Sequence, residues 1–260
     1  MARRRGEGHD AGRLSFEPGS TVPVAFETNG KGWHGYLVQL PGAYVRGMTE
    51  LDALAKVDSE VRAYLRWLGS EPRPGRYEGR RVQLHRSSLT VEDADNEILL
   101  DADAGGLSED EFTTLVELIR RSGATFLALC ERAKFKDWVD QSRVRRTFYG
   151  GNPCTVREIF AHVLGTQSYY MSRVGARPER LGNDFATTRE EYLEKLNAMF
   201  EREGSGEVHV VDGESWTLKK VLRRFVWHDR IHGKAITRIL ERQRQLGLIE
   251  AHYDPFRFEL

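Results

Sequence analysis

From about Ser215 to Leu246, apolar residues recur at intervals of three and four, the spacing of one helix face. Two histidines stand inside that face. The series Phe225, His228, His232, Ala235, Ile239 steps by 3, 4, 3 and 4, so a helix here turns both imidazoles the same way. A third histidine, His162, lies in the earlier segment TVREIFAHVLGTQSYY, on the line Ile159, His162, Thr166, Tyr169, which steps by 3, 4 and 3. Imidazoles on packed faces need polar partners. If the two helices lie side by side, one divalent ion satisfies all three, and three protein ligands with an open position make a catalytic rather than a structural pattern. The competing reading is three separate core histidines satisfied by carbonyls or hydroxyls.

The same period governs the chain from Ser108 onward. Ser108 with Glu111 forms a capping box, and Thr155 with Glu158 a second. The first of these helices carries Phe112, Leu115, Val116, Ile119, Phe126 or Leu127, Cys130 and Ala133, with Gly123 reading as a bend. The helix after Thr155 carries Val156, Ile159, Val163 and Tyr170. A further one, about 188–203, carries Tyr192, Leu196, Met199 and Phe200. Residues 137–153 read as a polar connection, and VHVV near 208–211 as a loop or stray strand. Four amphipathic helices predict a four-helix bundle over 107–247, an architecture that builds metal sites from facing side chains. Residues 248–260 read as a tail.

Earlier the period is two. Val22, Val24 and Phe26 alternate like a half-buried strand, followed by the hairpin dipeptide Asn29-Gly30. A second strand runs from Trp33 to Leu40, a short third holds Tyr44 and Val45, and a fourth covers 80–86 through Val82 and Leu84. Between the last two, Thr49 caps a helix with the stripe Leu51, Leu54, Val57, Val61, Tyr64 or Leu65, and Leu68, which stops at Gly69. The acidic stretch 87–105, with Asp93, Asp95, Asp101 and Asp103, lacks the glycine and terminal glutamate of a calcium loop and reads as a solvated connector. The expected fold class is therefore α+β: a small β-β-β-α-β domain over 20–103, then an all-α bundle, with a disordered basic arm over 1–19.

Two resemblances follow from these residues. Leu40-Pro41-Gly42, Gly47-Met48-Thr49 and Asp52-Ala53-Leu54 resemble the HicB-like antitoxin domain over roughly residues 20–86, without its DNA-binding tail. TVREIFAHVLGTQSYY and WTLKKVLRRFVWHDRIHGKAI look like the two signature helices of the DinB-like superfamily, over about residues 108–245. Pro153-Cys154 departs from the tryptophan that often precedes the threonine there. That resemblance implies His162, His228 and His232 as ligands of a divalent ion, Zn or Ni first and Fe or Mn as alternatives. It also implies a metal-dependent transferase using a low-molecular-weight thiol, or a hydrolase, and a homodimer. The alternative is a non-enzymatic regulator or antitoxin-like interaction protein with a metal-stabilised dimerisation element.

Composition narrows the classes. Lys+Arg and Asp+Glu both number 39, which argues against nucleic acid or an anionic membrane as partner; a small-molecule substrate is what the DinB-like resemblance implies. Two cysteines are too few for a disulfide framework and suit a reducing cytoplasm. No apolar run approaches a membrane span, and no apolar stretch follows the basic start, so no secretory signal is read. Around the histidines, Thr166, Tyr169 and Tyr170 are the candidate pocket donors. Cys154 sits at a helix N-terminus, where a thiolate is stabilised. Asp229 points about 100° from His228, toward a flanking salt bridge, and Trp227 reads as a packing residue.

Overall fold

The computed structural model describes residues 19–147, 150–177, 184–203 and 206–258. The basic arm expected over 1–19 lies, apart from Gly19, outside the described residues. The chain is α+β, an N-terminal sheet followed by helices. Strands β1 (Thr21–Thr28), β2 (Trp33–Leu37), β3 (Tyr44–Gly47) and β4 (Glu78–Arg86) form a sheet in the order β3-β2-β1-β4. β1 pairs antiparallel with β2 and parallel with β4. The parallel pair requires a crossover, supplied by α1 (Glu50–Leu54) and α2 (Val57–Trp67).

β1 differs from the half-buried strand that its alternation predicts, because both its faces are covered. Val22, Val24 and Phe26 join Leu37 and Val45 in the core shared with Val57, Val61 and Tyr64 of α2. On the opposite face Ala25, Tyr36 and Tyr44 cluster with Ile98, Leu100 and Trp227. Glu27 and His34 are consequently buried too. Three further boundaries differ. β2 ends at Leu37 rather than Leu40, because 37–43 folds into tight turns (Leu40 N–H to Leu37 C=O, 3.0 Å; Ala43 N–H to Leu40 C=O, 2.8 Å). The expected single helix from Thr49 breaks at Ala55-Lys56, where Lys56 N–H reaches back only three residues to Ala53 C=O. The break rotates the stripe and leaves Leu51 77 % exposed. Val82 is skipped in the pairing with β1, as in a β-bulge, and faces solvent instead of the core.

The remaining helices are the short α3 (Asp101–Ala104), then α4 (Glu109–Arg132), α5 (Val156–Ser172), α6 (Phe185–Glu203) and α7 (Leu218–Gln245). Both expected capping boxes are present, and so is the one at Thr49. Within 137–153 the minimal strands β5 (Arg146–Thr147) and β6 (Gly150–Gly151) pair. VHVV resolves as half of a hairpin, β7 (His209–Val211) with β8 (Glu214–Trp216). α4 passes through Gly123 without interruption. The glycine is there for room, since a Cβ would lie 3.0 Å from the Arg189 guanidinium. α7 packs against α4 and α5, and α6 against α4 and α5. Among the described residues no helix is long and apolar enough to cross a membrane.

One hydrophobic core runs from β1 to Phe258 and joins the sheet to the long helices. Its polar seam is Arg230 of α7, fully buried, whose Nη2 donates to Glu60 Oε1 of α2 (2.7 Å) and whose Nε donates to Gly42 C=O (3.2 Å). Gly42, with φ +88°, takes a conformation that glycine adopts without penalty. A Cβ there would also meet Val226 at 2.5 Å. The Leu-Pro-Gly turn thus has a packing reason: it is where the sheet unit lies on α7. The C-terminal segment is packed down as well, with Phe256 buried over Gly233.

Candidate metal centre

The 3-4 stripe of α7 does what its period predicts. His228 and His232 project together from α7 toward His162 of α5. The three offer nitrogens that all lie within 4.8 Å of one another, with ring centroids 5.1, 4.6 and 4.4 Å apart. His228 is buried, and the other two are partly exposed. The Nε2 atoms of His162 and His228 are 3.3 Å apart. Two ligands of a tetrahedral zinc at Zn–N of about 2.0–2.1 Å are separated by roughly 3.3–3.4 Å, so the spacing fits the group. Without an ion, the same contact is an N–H···N hydrogen bond.

The electrostatics also fit. Burial lowers the His162 pKa below the ordinary imidazole value. Burial, then the neighbouring His232 and His162, hold His228 well below it. Burial, then His162, push His232 down to about 3. All three are therefore neutral near pH 7, the state a metal requires. A depressed folded-state pKa means that the unfolded chain binds more protons once the pH falls below about 6.5. The metal-free protein should lose stability from there down toward pH 3, and these groups should add no pH dependence above 6.5. His232 alone accounts for a loss of roughly 2 kcal/mol at pH 5. Urea denaturation at pH 7.5 and pH 5 checks this, and an unchanged midpoint contradicts it.

The trio opens on a cavity of ≈ 930 Å³ built by both halves of the chain. β3, the segment 89–97, the loop 143–154, α5, the β7–β8 hairpin and α7 all contribute to its wall. The expected pocket residues Thr166, Tyr169 and Tyr170 line it. The Thr166 hydroxyl donates to His162 C=O (2.8 Å) and so braces the helix. Tyr169 is 41 % exposed and stacks on the Arg173 guanidinium at 4.0 Å. Tyr170 is buried with its ring edge-on to His228 (5.6 Å), and burial pushes its phenol up to about 12, so it remains protonated.

Cys154 also lines the cavity, but its thiol is shifted opposite to the expected direction. Burial, then Glu158, raise its pKa, and Glu158 Oε2 already accepts the Cys154 N–H (2.8 Å). The capping carboxylate occupies the helix N-terminus that would have favoured a thiolate. Asp229 forms its salt bridge in the interior rather than on a flank. It pairs with Arg189 through two bonds (2.9 and 3.0 Å) and accepts the Ser122 hydroxyl (2.6 Å). Trp227 packs as expected and also donates its Nε1–H to His34 Nε2 (3.2 Å).

Sequence reading passed over Arg224, although its position four residues before His228 places it on the same ridge of α7. It also missed a second cluster, Glu27, His85 and Glu97, whose ligand atoms lie within 4.8 Å of one another. Here His85 Nε2 meets Glu97 Oε1 at 3.1 Å, and the Glu27 carboxylate accepts the backbone N–H groups of Glu97 (3.0 Å) and Ile98 (3.5 Å), so each side chain already has a partner. Comparison with protein-family models, curated proteins and solved structures found no match to this chain.

Proposed function

We propose that the chain is a divalent-metal-binding, DinB-like protein that transfers a low-molecular-weight thiol, with α4, α5, α6 and α7 as its four-helix bundle and a HicB-like unit before it. The observation that carries this reading is the convergence of three neutral imidazoles on the wall of a cavity large enough for a metabolite. Cavities of that size bind small molecules, and this wall is rich in charged groups, among them Arg143, Arg145, Arg224, Arg238, Asp95 and Glu214. His162, His228 and His232 would hold the ion, Zn or Ni first, with Fe or Mn compatible with the same donors. When bound, the ion supplies Lewis acidity, which lowers the pKa of a thiol or of water.

The remaining work belongs to the chain. Tyr170 and Trp227 pack on His228 and shield that imidazole from water, which strengthens charge interactions on its side of the site. The braced α5 backbone and the Asp229–Arg189 pair hold the two ligand helices at their spacing. Thr166 and Tyr170 are poor proton carriers, the first committed to a carbonyl and the second held protonated. The substrate's proton would pass instead to water in the cavity or to a carboxylate on its wall, such as Asp95 or Glu214. The cavity favours an enzyme over the regulator alternative.

The test is thiol conjugation to 1-chloro-2,4-dinitrobenzene by zinc- or nickel-loaded protein, with glutathione, cysteine, coenzyme A and cysteinyl-glucosamine as donors. Metal-dependent turnover of at least one thiol is expected. Amide hydrolysis without thiol turnover would move the assignment to a hydrolase, and neither activity would favour the regulator.

A further inference from the structure

Among the described residues five cations are buried: Arg189, Lys220, Arg223, Arg224 and Arg230. Four have a carboxylate at hydrogen-bond distance. Arg189 pairs with Asp229 (2.9 Å), Lys220 with Glu214 (2.9 Å), Arg223 with Asp103 (2.6 Å) and Arg230 with Glu60 (2.7 Å). Arg224 is the exception. It is 7 % exposed, and among the described residues no carboxylate comes within the 4.0 Å of an ion pair. Its Nε is sealed from solvent with no acceptor. Aromatic rings surround the guanidinium carbon, with Trp227 at 4.6 Å, Tyr170 at 5.4 Å and Trp216 at 5.7 Å. Ring faces attract the charge, and the Tyr170 hydroxyl accepts a hydrogen bond from the guanidinium. Nε nevertheless has no acceptor and no carboxylate neutralises the charge, and a buried cation without a counter-ion is costly.

This lone cation lines the same cavity as the histidines. It sits one turn before His228, about 6 Å along the helix axis. We propose that Arg224 is a carboxylate-binding subsite: the ligand whose reactive atom meets His162, His228 and His232 carries a carboxylate that pairs with the Arg224 guanidinium. This rests on the ligand-binding reading of the cavity given above. A carboxylate suits the fork of a guanidinium and makes two charge-assisted bonds. A dianionic phosphate suits the Arg224 end less well, because Glu214 and Asp95 already act on Arg224 and repel a second charge there, while the other cations of the wall, Arg46, Arg143, Arg145 and Arg238 among them, belong to other segments of the cavity.

The experiment is calorimetric titration of zinc-loaded protein with 4-mercaptobutyrate and with uncharged 4-mercapto-1-butanol. The parent should bind the carboxylate at least about 10-fold more tightly, the worth of one charge-assisted pair. R224Q should abolish the preference and leave the alcohol's affinity unchanged. R224K, which keeps the charge without the fork, should retain part of it. Both variants are compared at parental circular dichroism. Equal affinities in the parent, or a preference surviving in R224Q, overturn the subsite. If neither thiol binds, the thiol reading has failed instead, and the subsite is then read from butyrate and inorganic phosphate alone. Butyrate binding lost in R224Q supports the subsite. No butyrate binding, or phosphate binding more tightly, overturns it.

Discussion

Replacing His228 with alanine should abolish stoichiometric metal: one equivalent in the parent, none in the variant, by elemental analysis of protein purified without a histidine tag or chelator. His228 is the most buried of the three histidines, 5 % exposed, and its Nε2 faces that of His162 at 3.3 Å. Loss of an outer-shell partner alone costs a metal site about 10–100-fold in affinity, so loss of a direct ligand costs at least the upper end of that range. His162→Ala should behave in the same way, because the two helices contribute to one centre. If the imidazoles serve only each other, the outcome differs. Then the parent carries no metal, added Zn²⁺ or Ni²⁺ leaves the melting temperature unchanged, and His228→Ala costs only the roughly 1–3 kcal/mol of a buried donor or acceptor left without its partner.

The second large effect is expected at Asp229→Ala, a stability loss of about 3–5 kcal/mol in urea denaturation, because it leaves a buried cation uncompensated. Asp229 is fully buried and Arg189 is 3 % exposed. The guanidinium gives two bonds to Asp229, one to Gln167 Oε1 (2.6 Å) and one to Ile119 C=O (3.3 Å). The Ser122 hydroxyl completes the carboxylate's partners. The network therefore ties α7 to α4, α5 and α6 directly beside His228. Removing both ends, Asp229→Ala with Arg189→Met, should recover part of the loss, because the penalty lies in the orphaned charge rather than in the absent attraction. A single-variant loss under about 1 kcal/mol would contradict the network's role.

The helices were legible because their signals are local. The boxes at Thr49, Ser108 and Thr155 each close within one turn, and the 3-4 steps of α5 and α7 phase their histidines before any tertiary contact is known. The structure departs from the local patterns at three places, two through a neighbouring turn or cap that overrides the pattern and one through strand pairing. Leu51 was placed inside from its stripe, but the tight turn at Ala55-Lys56 rotates it out. Val82 was placed inside from alternation, but the irregular pairing with β1 expels it. Cys154 was read from its helix terminus, but Glu158 had already taken the free N–H.

The amino-acid sequence by itself determined the α+β order, the long helices and the common phase of His228 and His232, since these follow from steric and hydrogen-bonding preferences acting within a few residues. The tertiary structure alone decided that α7 and the segment around 97–100 cover the second face of the sheet, which buries His34 against Trp227 and Glu27 beneath the backbone of Glu97 and Ile98. It also decided that Asp229 lies in the interior, and that the cavity over the histidines takes walls from both halves. The reason is the same in each case. Burial and charge pairing depend on which remote side chains arrive within a few ångströms, and no local period encodes that for Arg224, whose lack of a carboxylate appears only once every neighbour is in place.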